Sequence, residues 1–428
     1  MSALSSNGLS TMSLLGNIIN EISQERLWSR HLQLAQIGAP PAGGVNRQAL
    51  SREEITARRL LVQWGSPLGL IPYSDDIGNL FLRYRGKNAE AEPVLTGSHI
   101  DTQPTGGRFD GSFGVLAGLE MVEAMHAAQF KPERSIEVVA WTNEEGSRFA
   151  PGMMGSALFR GQRDLESMLK VEDLSGISVR ESVEAVRAAE PNIAGRSLGF
   201  PVAAYVEAHI EQGPILEMQK KIIGVVSGIQ GKRVFRVTVK GEENHAGTSP
   251  RALRKDALVT SVDILSALHT AMHDAEDIVK FTVGFLEISP NAPSVVPSLV
   301  HFSIDLRHPD SATLNALGDA IPGLCEKHRG PCKVQVKELS NDPSLEFPSV
   351  VRDVIRDVAV ELDVTHMDLP SAAGHDARHL HYVCPTGMIF VPCAGGISHN
   401  EAESCKPEDL FNGARVLAGT IARLADRV

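Results

Sequence analysis

Histidines and carboxylates gather at a few points of this 428-residue chain, each just after or late in a short apolar run. The run at 94–98 is followed by His99 and Asp101 and then by Asp110 in GGRFDG. The run at 135–141 is followed by Glu144 and Glu145, His209 falls late in 202–210, and His399 follows 386–392. Such runs read as buried strands, and ligands of open α/β sheets bind at the carboxyl ends of the strands, so these groups converge at one sheet edge. Taken singly, each has an ordinary reading: Asp110-Gly111 is a turn pair, Glu144-Glu145 a solvated strand end, His209 a hydrogen-bonded core histidine and Asp101 another turn residue. Together, three histidines and two carboxylates hold two divalent ions if one carboxylate bridges. The mixed nitrogen and oxygen donors suit Zn²⁺, Mn²⁺, Co²⁺ or Ni²⁺ over a thiolate-bound metal. Two ions about 3.5 Å apart share a water, lower its pKa and polarise a carbonyl, which suits hydrolysis of an amide or ureido bond. With Glu145 as a ligand, Glu144 takes the proton and later gives it to the leaving nitrogen. Asp101, two residues from His99, is placed to orient its imidazole.

The elements that must position these residues follow from periodicity. Helical patterns at 16–36, 51–65, 113–128, 348–362 and 408–426 surround the apolar runs, an alternation that predicts an α/β domain with a largely parallel sheet. A different pattern occupies 233–338. Phe235, Val237 and Val239 alternate with Arg236, Thr238 and Lys240; over 279–287, Val279, Phe281, Val283 and Phe285 alternate with Lys280, Thr282 and Gly284. Leu258, Val262, Leu265, Leu268 and Met272 keep helical spacing between them. A strand at 299–307, a helix at 311–328 and a strand at 333–338 complete β-α-β-β-α-β, the ferredoxin-like order. Pro322 is expected to kink or end the second helix. The predicted division is a catalytic domain in two parts, 1–220 and 339–428, with a small domain inserted at 221–338 and a loose tail at 1–14.

Composition narrows the function. The balance of 41 basic and 52 acidic residues, net −11, argues against a nucleic-acid surface, and no run of 18 apolar residues offers a membrane span. Five cysteines, all in the last quarter of the chain, make no disulfide framework, and the start has neither a basic n-region nor an apolar h-region, so a cytoplasmic location is expected. The spacing of Cys325, His328 and Cys332 is a weak zinc-like signal, read instead as a helix end. The glycines of GGRFDG and PAGGV lack the Lys-Ser/Thr of a phosphate loop.

The segments GSHIDTQPTGGRFDG, WTNEEGSRF, HIEQGPILE, HAGTSP, SIDLRHPD, SAAGHDA and GISHNEAE occur in this order. From about Gly38 to the last helix the chain resembles the hydantoinase/carbamoylase branch of the M20 metallopeptidase-like amidohydrolases. Matched motif by motif, the resemblance implies metal ligands at His99, Asp110 (the bridge), Glu145, His209 and His399, with Glu144 as general base, in agreement with the strand-end reading. It further implies that the small domain is a lid and dimer contact, and that His245 reaches the neighbouring subunit's site to stabilise an oxyanion; without it, His245 is a loop histidine after a strand. The family's carboxylate-binding arginine matches Arg307, and Gln212, Asn291 and His375 match substrate-contacting positions. The strand pattern supports Arg307: Val300, Phe302, Ile304 and Leu306 point one way and leave it on the open face with His301, Ser303 and Asp305, where a guanidinium binds a carboxylate bidentately unless Asp305 or Asp310 claims it. Arg251, Ser249 and Ala372 depart from the branch's pattern and bear on the side-chain pocket and the lid contact. The expected activity is cleavage of an N-carbamoyl-L-amino acid to amino acid, CO₂ and NH₃ by a homodimer with two divalent ions per subunit. Allantoate is the close alternative substrate and N-carbamoyl-β-alanine the third. An M20-like aminoacylase or peptidase is the reading from another class, and a non-catalytic binding protein has no use for Glu144.

Overall fold

Val94–His99, Ile136–Trp141, Ala204–Ile210 and Thr386–Val391 are strands in which every residue is buried, the pattern of a sheet covered on both faces. In the computed structural model, which describes residues 16–426, they are neighbours in the order Thr386–Val391, Ala204–Ile210, Val94–His99, Ile136–Trp141 and pair in parallel throughout. Leu80–Tyr84 and Ile71–Ser74 continue the sheet antiparallel beyond Ile136–Trp141. The α/β class therefore holds, with a mixed sheet whose centre is parallel. The tail expected at 1–14 lies outside the described residues.

Parallel pairing sets the strand ends level. His99 lies opposite Trp141 and His209 opposite Phe390, so the segments that follow these strands emerge at one edge. The helix Ser112–Ala127 begins directly after Asp110 and is apolar all round, with Phe113, Val115, Leu116, Leu119, Met121, Val122 and Met125 buried, as expected of a helix between a sheet and an outer layer. It packs on Val94–His99 and beneath the helices Gln24–Ala35 and Pro407–Ala425. Its buried Glu120 accepts the Ser23 N–H at 2.6 Å and the Arg26 guanidinium, which meets the requirement that a buried charge be paired.

The described residues form two units: those up to 227 with 347–369 and those from 374 on, and 228–346 with 370–373. Residues 221–227 stay with the first because Gly224 and Val225 pair with Phe390 and Ile389 in the large sheet. The second extends to 346 because the strand Lys333–Asp342 resumes its ladder after a bulge at Glu338/Ser340.

The second unit runs Gly231–Lys240, helix Ala257–Ala271, Lys280–Thr282 with Leu286–Ser289, Leu299–His308, helix Ser311–Lys327, Lys333–Asp342. Its antiparallel sheet has the order Lys280–Thr282, Leu299–His308, Gly231–Lys240, Lys333–Asp342, over a core that includes Phe235, Val237, Ile264, Leu268, Phe302, Ile304, Ile321, Cys325 and Cys332. The two cysteines are thus core packing. Two expectations change here. The strand expected at 279–287 is split, because Thr282 faces Asp305 while Leu286 faces Phe302, so three residues oppose two and the chain bulges at Gly284. The helix with Pro322 does not end there but runs on to Lys327; one missing backbone hydrogen bond is outweighed by the buried face of Leu314, Gly318, Ile321 and Cys325. Among the described residues no helix is long and apolar enough to cross a membrane.

The close seat of Ser112–Ala127 gives a stability test. A Cβ at Gly114 would lie 2.4 Å from the Ala208 carbonyl oxygen and 2.8 Å from Ser98 Cβ, whereas Gly323, inside the helix Ser311–Lys327, has open space. In urea unfolding of the chelated protein, Gly114→Ala should lose about 1–3 kcal/mol, while Gly323→Ala should gain about 0.5–1 kcal/mol. Equal midpoints for the two variants would contradict this packing.

Candidate metal centre

Two of the strand ends contribute an imidazole whose orientation is fixed by backbone. His99 Nδ1 meets the Asp101 carbonyl at 2.9 Å and His209 Nδ1 meets the Ile210 carbonyl at 2.9 Å. A carbonyl only accepts, so Nδ1 carries a proton and, in the neutral ring, Nε2 presents a lone pair. The Gly111 N–H, 3.2 Å from His209 Nε2, also marks that atom as an acceptor. Both Nε2 atoms face one carboxylate oxygen, Asp110 Oδ1, at 3.8 Å from His99 and 3.2 Å from His209. On the other side, His399 Nε2 lies 3.3 Å from Asp110 Oδ2 and 3.4 Å from Glu145 Oε2.

The donor atoms of the five predicted ligands fall into two groups, His99 with Asp110 and His209, and Asp110 with Glu145 and His399, each within 4.8 Å. Asp110 is common to both. Its Oδ1 is buried and accepts no hydrogen bond, an arrangement that is costly unless something positive meets it. The surrounding charge makes the same demand. Burial, then repulsion from Asp376, Glu145, Asp101 and Asp110, holds the Glu144 carboxyl well above its ordinary range. Burial and Asp110 push Glu145 up to about 8, and burial pushes Asp101 up to about 7. Burial works to lower the His209 imidazole, yet the neighbouring Asp110 carboxylate prevails and raises it to about 9; the Asp110 carboxylate likewise raises His399 to about 9. Convergent imidazole lone pairs, an unsatisfied buried carboxylate oxygen and mutually repelling carboxyl groups are together the environment that a divalent cation satisfies.

The remaining expected residues of the first unit take these positions. Glu144 Oε2 is 3.6 Å from His99 Nε2. The Asp101 carboxylate is 3.7 Å from His99 Nδ1 and accepts the backbone N–H groups of Glu144 and Glu145, both at 3.2 Å. It therefore sets the paired glutamates, and the imidazole is oriented by the Asp101 carbonyl instead. Gln212 donates its amide to Asp110 Oδ2 at 3.0 Å and to Ser398 Oγ at 3.2 Å. His375 is buried edge-on against His209, ring centroids 4.5 Å apart, and burial holds its pKa well below the usual value.

Residues 245, 291 and 307 belong to the second unit. His245 is exposed on Asn244–His245, and its Nδ1 accepts the N–H groups of Gly247 at 3.0 Å and Thr248 at 3.1 Å, which puts the proton on Nε2. Asn291 is exposed with φ of 54°. Arg307 forms a fork with Asp305, Nε–Oδ1 2.8 Å and Nη2–Oδ2 3.2 Å, and donates Nη1 to the Ala372 carbonyl at 2.8 Å. Burial opposes ionisation of Asp305, but Arg307 and Lys232 hold its carboxyl below the ordinary range.

Sequence reasoning passed over four groups. Gln103 donates to Glu145 Oε2 at 2.7 Å; Glu207 accepts from Ser98 Oγ at 2.7 Å and the Ala377 N–H at 2.8 Å; Asp376 is bonded by the Ser156 hydroxyl; Glu403 accepts the Phe109 and Asp110 N–H groups. The signal for Glu207 was its place two residues before His209, on the same face of a strand. Asp376 was next to His375.

The profile of Peptidase family M20/M25/M40 matches residues 95–423. The chain is 39% identical over 412 residues to the N-carbamoyl-L-amino-acid amidohydrolase of Rhizobium meliloti, covering 95% of this chain and 98% of that protein. It is 33% identical over 396 residues to the allantoate amidohydrolase of Bacillus subtilis (strain 168), covering 92% and 95%. Among solved structures, a hydantoinase/carbamoylase family amidase from Burkholderia multivorans superposes with a TM-score of 0.88 at 39% identity, covering 95% of this chain and 99% of that one.

Gly111 leaves no room in the centre for a side chain. It has φ of 62°, and a Cβ there would lie 2.4 Å from His99 Nε2. Gly111→Ala should therefore bind much less Mn²⁺ or Zn²⁺ than the parent at the same free metal concentration, measured by plasma emission after dialysis, with an unchanged far-ultraviolet dichroism spectrum. Undiminished metal content would refute this geometry.

Proposed function

The chain belongs to Peptidase family M20/M25/M40 and is a hydrolase of carbon–nitrogen bonds, and from that premise we propose that it hydrolyses the ureido C–N bond of an N-carbamoyl-L-amino acid to the amino acid, CO₂ and NH₃. The observation that carries the reading is Asp110, whose two carboxylate oxygens face separate sets of nitrogen and oxygen donors while Oδ1 accepts no hydrogen bond. His99, Asp110 and His209 would hold one divalent ion and Asp110, Glu145 and His399 the other. Such ions supply a Lewis acid that polarises the ureido carbonyl and lowers the pKa of a water beside it.

The protein's own groups do the rest. Glu144, whose backbone N–H is anchored on Asp101, accepts the proton of the attacking water and returns it to the leaving nitrogen. Arg307, held in plane by Asp305 and the Ala372 carbonyl, binds the substrate carboxylate through its remaining N–H groups. Gln212, Asn291 and His375 contact the ureido end. His245 is the oxyanion donor, because its Nε2–H is left free for that bond by the N–H groups on Nδ1; it serves the neighbouring active site of a homodimer in which the second unit is lid and contact. Five free, buried cysteines support a reducing, cytoplasmic setting. Allantoate, which presents a ureido carbonyl on a carboxylate-bearing carbon, is the alternative substrate, favoured by the full-length likeness to an allantoate amidohydrolase.

Ammonia release should be measured with Mn²⁺, Co²⁺ or Zn²⁺ added to chelated protein, over N-carbamoyl-L- and D-amino acids, N-carbamoyl-β-alanine, allantoate, N-acetyl amino acids and dipeptides. Metal-dependent ammonia from N-carbamoyl-L-amino acids is expected. Amine release from acyl or peptide substrates without ammonia would replace the proposal with an aminoacylase or peptidase. Glu144→Gln should keep its metal and lose at least about 10²-fold in kcat, and His245→Ala should lose about 10²–10³-fold. Retained turnover in either variant removes that residue from the mechanism.

A further inference from the structure

Glu403 lies behind Asp110, not among the candidate metal ligands. Its Oε1 accepts the backbone N–H groups of Phe109 at 2.8 Å and Asp110 at 3.1 Å. Its Oε2 accepts the Ser398 hydroxyl at 3.1 Å, and that hydroxyl is also 3.1 Å from Asp110 Oδ2. The residue is 4% exposed, so no bulk water competes for these bonds. Glu403 is also four residues from His399 in the chain, in a turn closed by its own N–H on the Asn400 carbonyl at 3.0 Å. One carboxylate therefore ties the loop that bears Asp110 to the loop that bears His399. The sequence makes room for it at Gly107, where a Cβ would lie 2.0 Å from the Glu403 carboxyl; no side chain fits at 107 while Glu403 keeps its place.

We propose that Glu403 is a positioning residue for the second ion. It fixes the Asp110 backbone and, through Ser398, the Oδ2 edge of its carboxylate, so that Asp110 and His399 meet the ion at one geometry. The inference rests on the metal-dependent reading above. It predicts that the charge and shape of Glu403 act on metal affinity while leaving folding and substrate affinity alone.

The test uses the full chain and its Glu403→Gln, Glu403→Ala and Gly107→Ala variants. The readouts are Mn²⁺ affinity by competition with a chromophoric chelator, bound metal per chain, kcat and KM at saturating Mn²⁺, and the melting temperature of the chelated protein. Glu403→Gln keeps an oxygen for the Phe109 and Asp110 N–H groups, so its melting temperature should match the parent. Its affinity for the more weakly held ion should fall about 10–100-fold, with excess Mn²⁺ restoring kcat at unchanged KM. Glu403→Ala should fall at least as far, and Gly107→Ala should reproduce the loss with Glu403 intact. Parental affinity in both Glu403 variants would overturn the proposal, as would losses that track the melting temperature. A parent protein that binds no divalent ion would overturn the metal reading itself, a result distinguishable from either.

Discussion

The centre depends on one buried carboxylate being offered in two directions at once. Asp110 sits between two imidazoles from adjacent parallel strands and a third from a distant loop, and it can do so only because the chain turns sharply beside it. Gly111 takes φ of 62° and is the N-cap of Ser112–Ala127, so Asp110 stands at the positive end of a long buried helix. Burial works against ionisation of Asp110, but His209 and His399 beside it hold its carboxyl well below the ordinary range, and the amide dipoles at the helix start favour the same negative charge. The helix is held by Gly114 against the Ala208 carbonyl and by Gly118 against Val138 and Thr96. The depth of the helix on the sheet therefore sets the depth of the carboxylate in the site.

The parallel centre of the sheet gives a second constraint. Strands buried on both faces leave no exposed positions along their length, so chemistry collects where they end, and parallel pairing puts those ends level. His99 closes one strand and Glu144 and Glu145 follow the next, while His209 approaches the end of its own. Carboxyl groups brought together in this way repel one another. The raised positions of Glu144, Glu145 and Glu403 express that repulsion together with burial, and a set of protein donors that unfavourable in isolation is held together by the backbone N–H groups aimed at its outer members.

How much of this was legible depended on which bonds were involved. The strands, the ferredoxin-like order and the strand-end residues have patterns in side-chain type, with short apolar runs, alternation and chemistry at run ends. Glu403 and the true partners of Asp101 have none, because what they bond is backbone N–H, which every residue but proline carries. The Asp101 carboxylate binds two amides of the Glu144-Glu145 turn, and nothing in HID distinguishes that from a bond to the neighbouring imidazole. The break at Gly284 and the unbroken passage through Pro322 were hidden for a related reason. Period and propensity describe an element alone, whereas a register set by Leu299–His308 decided the first and a buried apolar face the second.

The second unit shows how its expected substrate groups are prepared without help from elsewhere. A free imidazole exchanges its proton between two nitrogens, but two backbone donors on His245 Nδ1 settle the tautomer and leave Nε2 as a donor. A free guanidinium rotates, but Asp305 and the Ala372 carbonyl hold Arg307 with three of its five N–H groups. The two that remain lie in a fixed plane. For a substrate carboxylate this removes most of the ordering entropy of a long side chain, which favours binding, while the charge of Asp305 weakens the attraction and so opposes it. The net effect is selective: a planar, bidentate anion gains from the fixed fork, whereas a neutral amide end, with no charge to overcome Asp305, gains little. That selectivity is the one expected of an enzyme that must tell the carboxylate of its proposed substrate from the ureido group beside it.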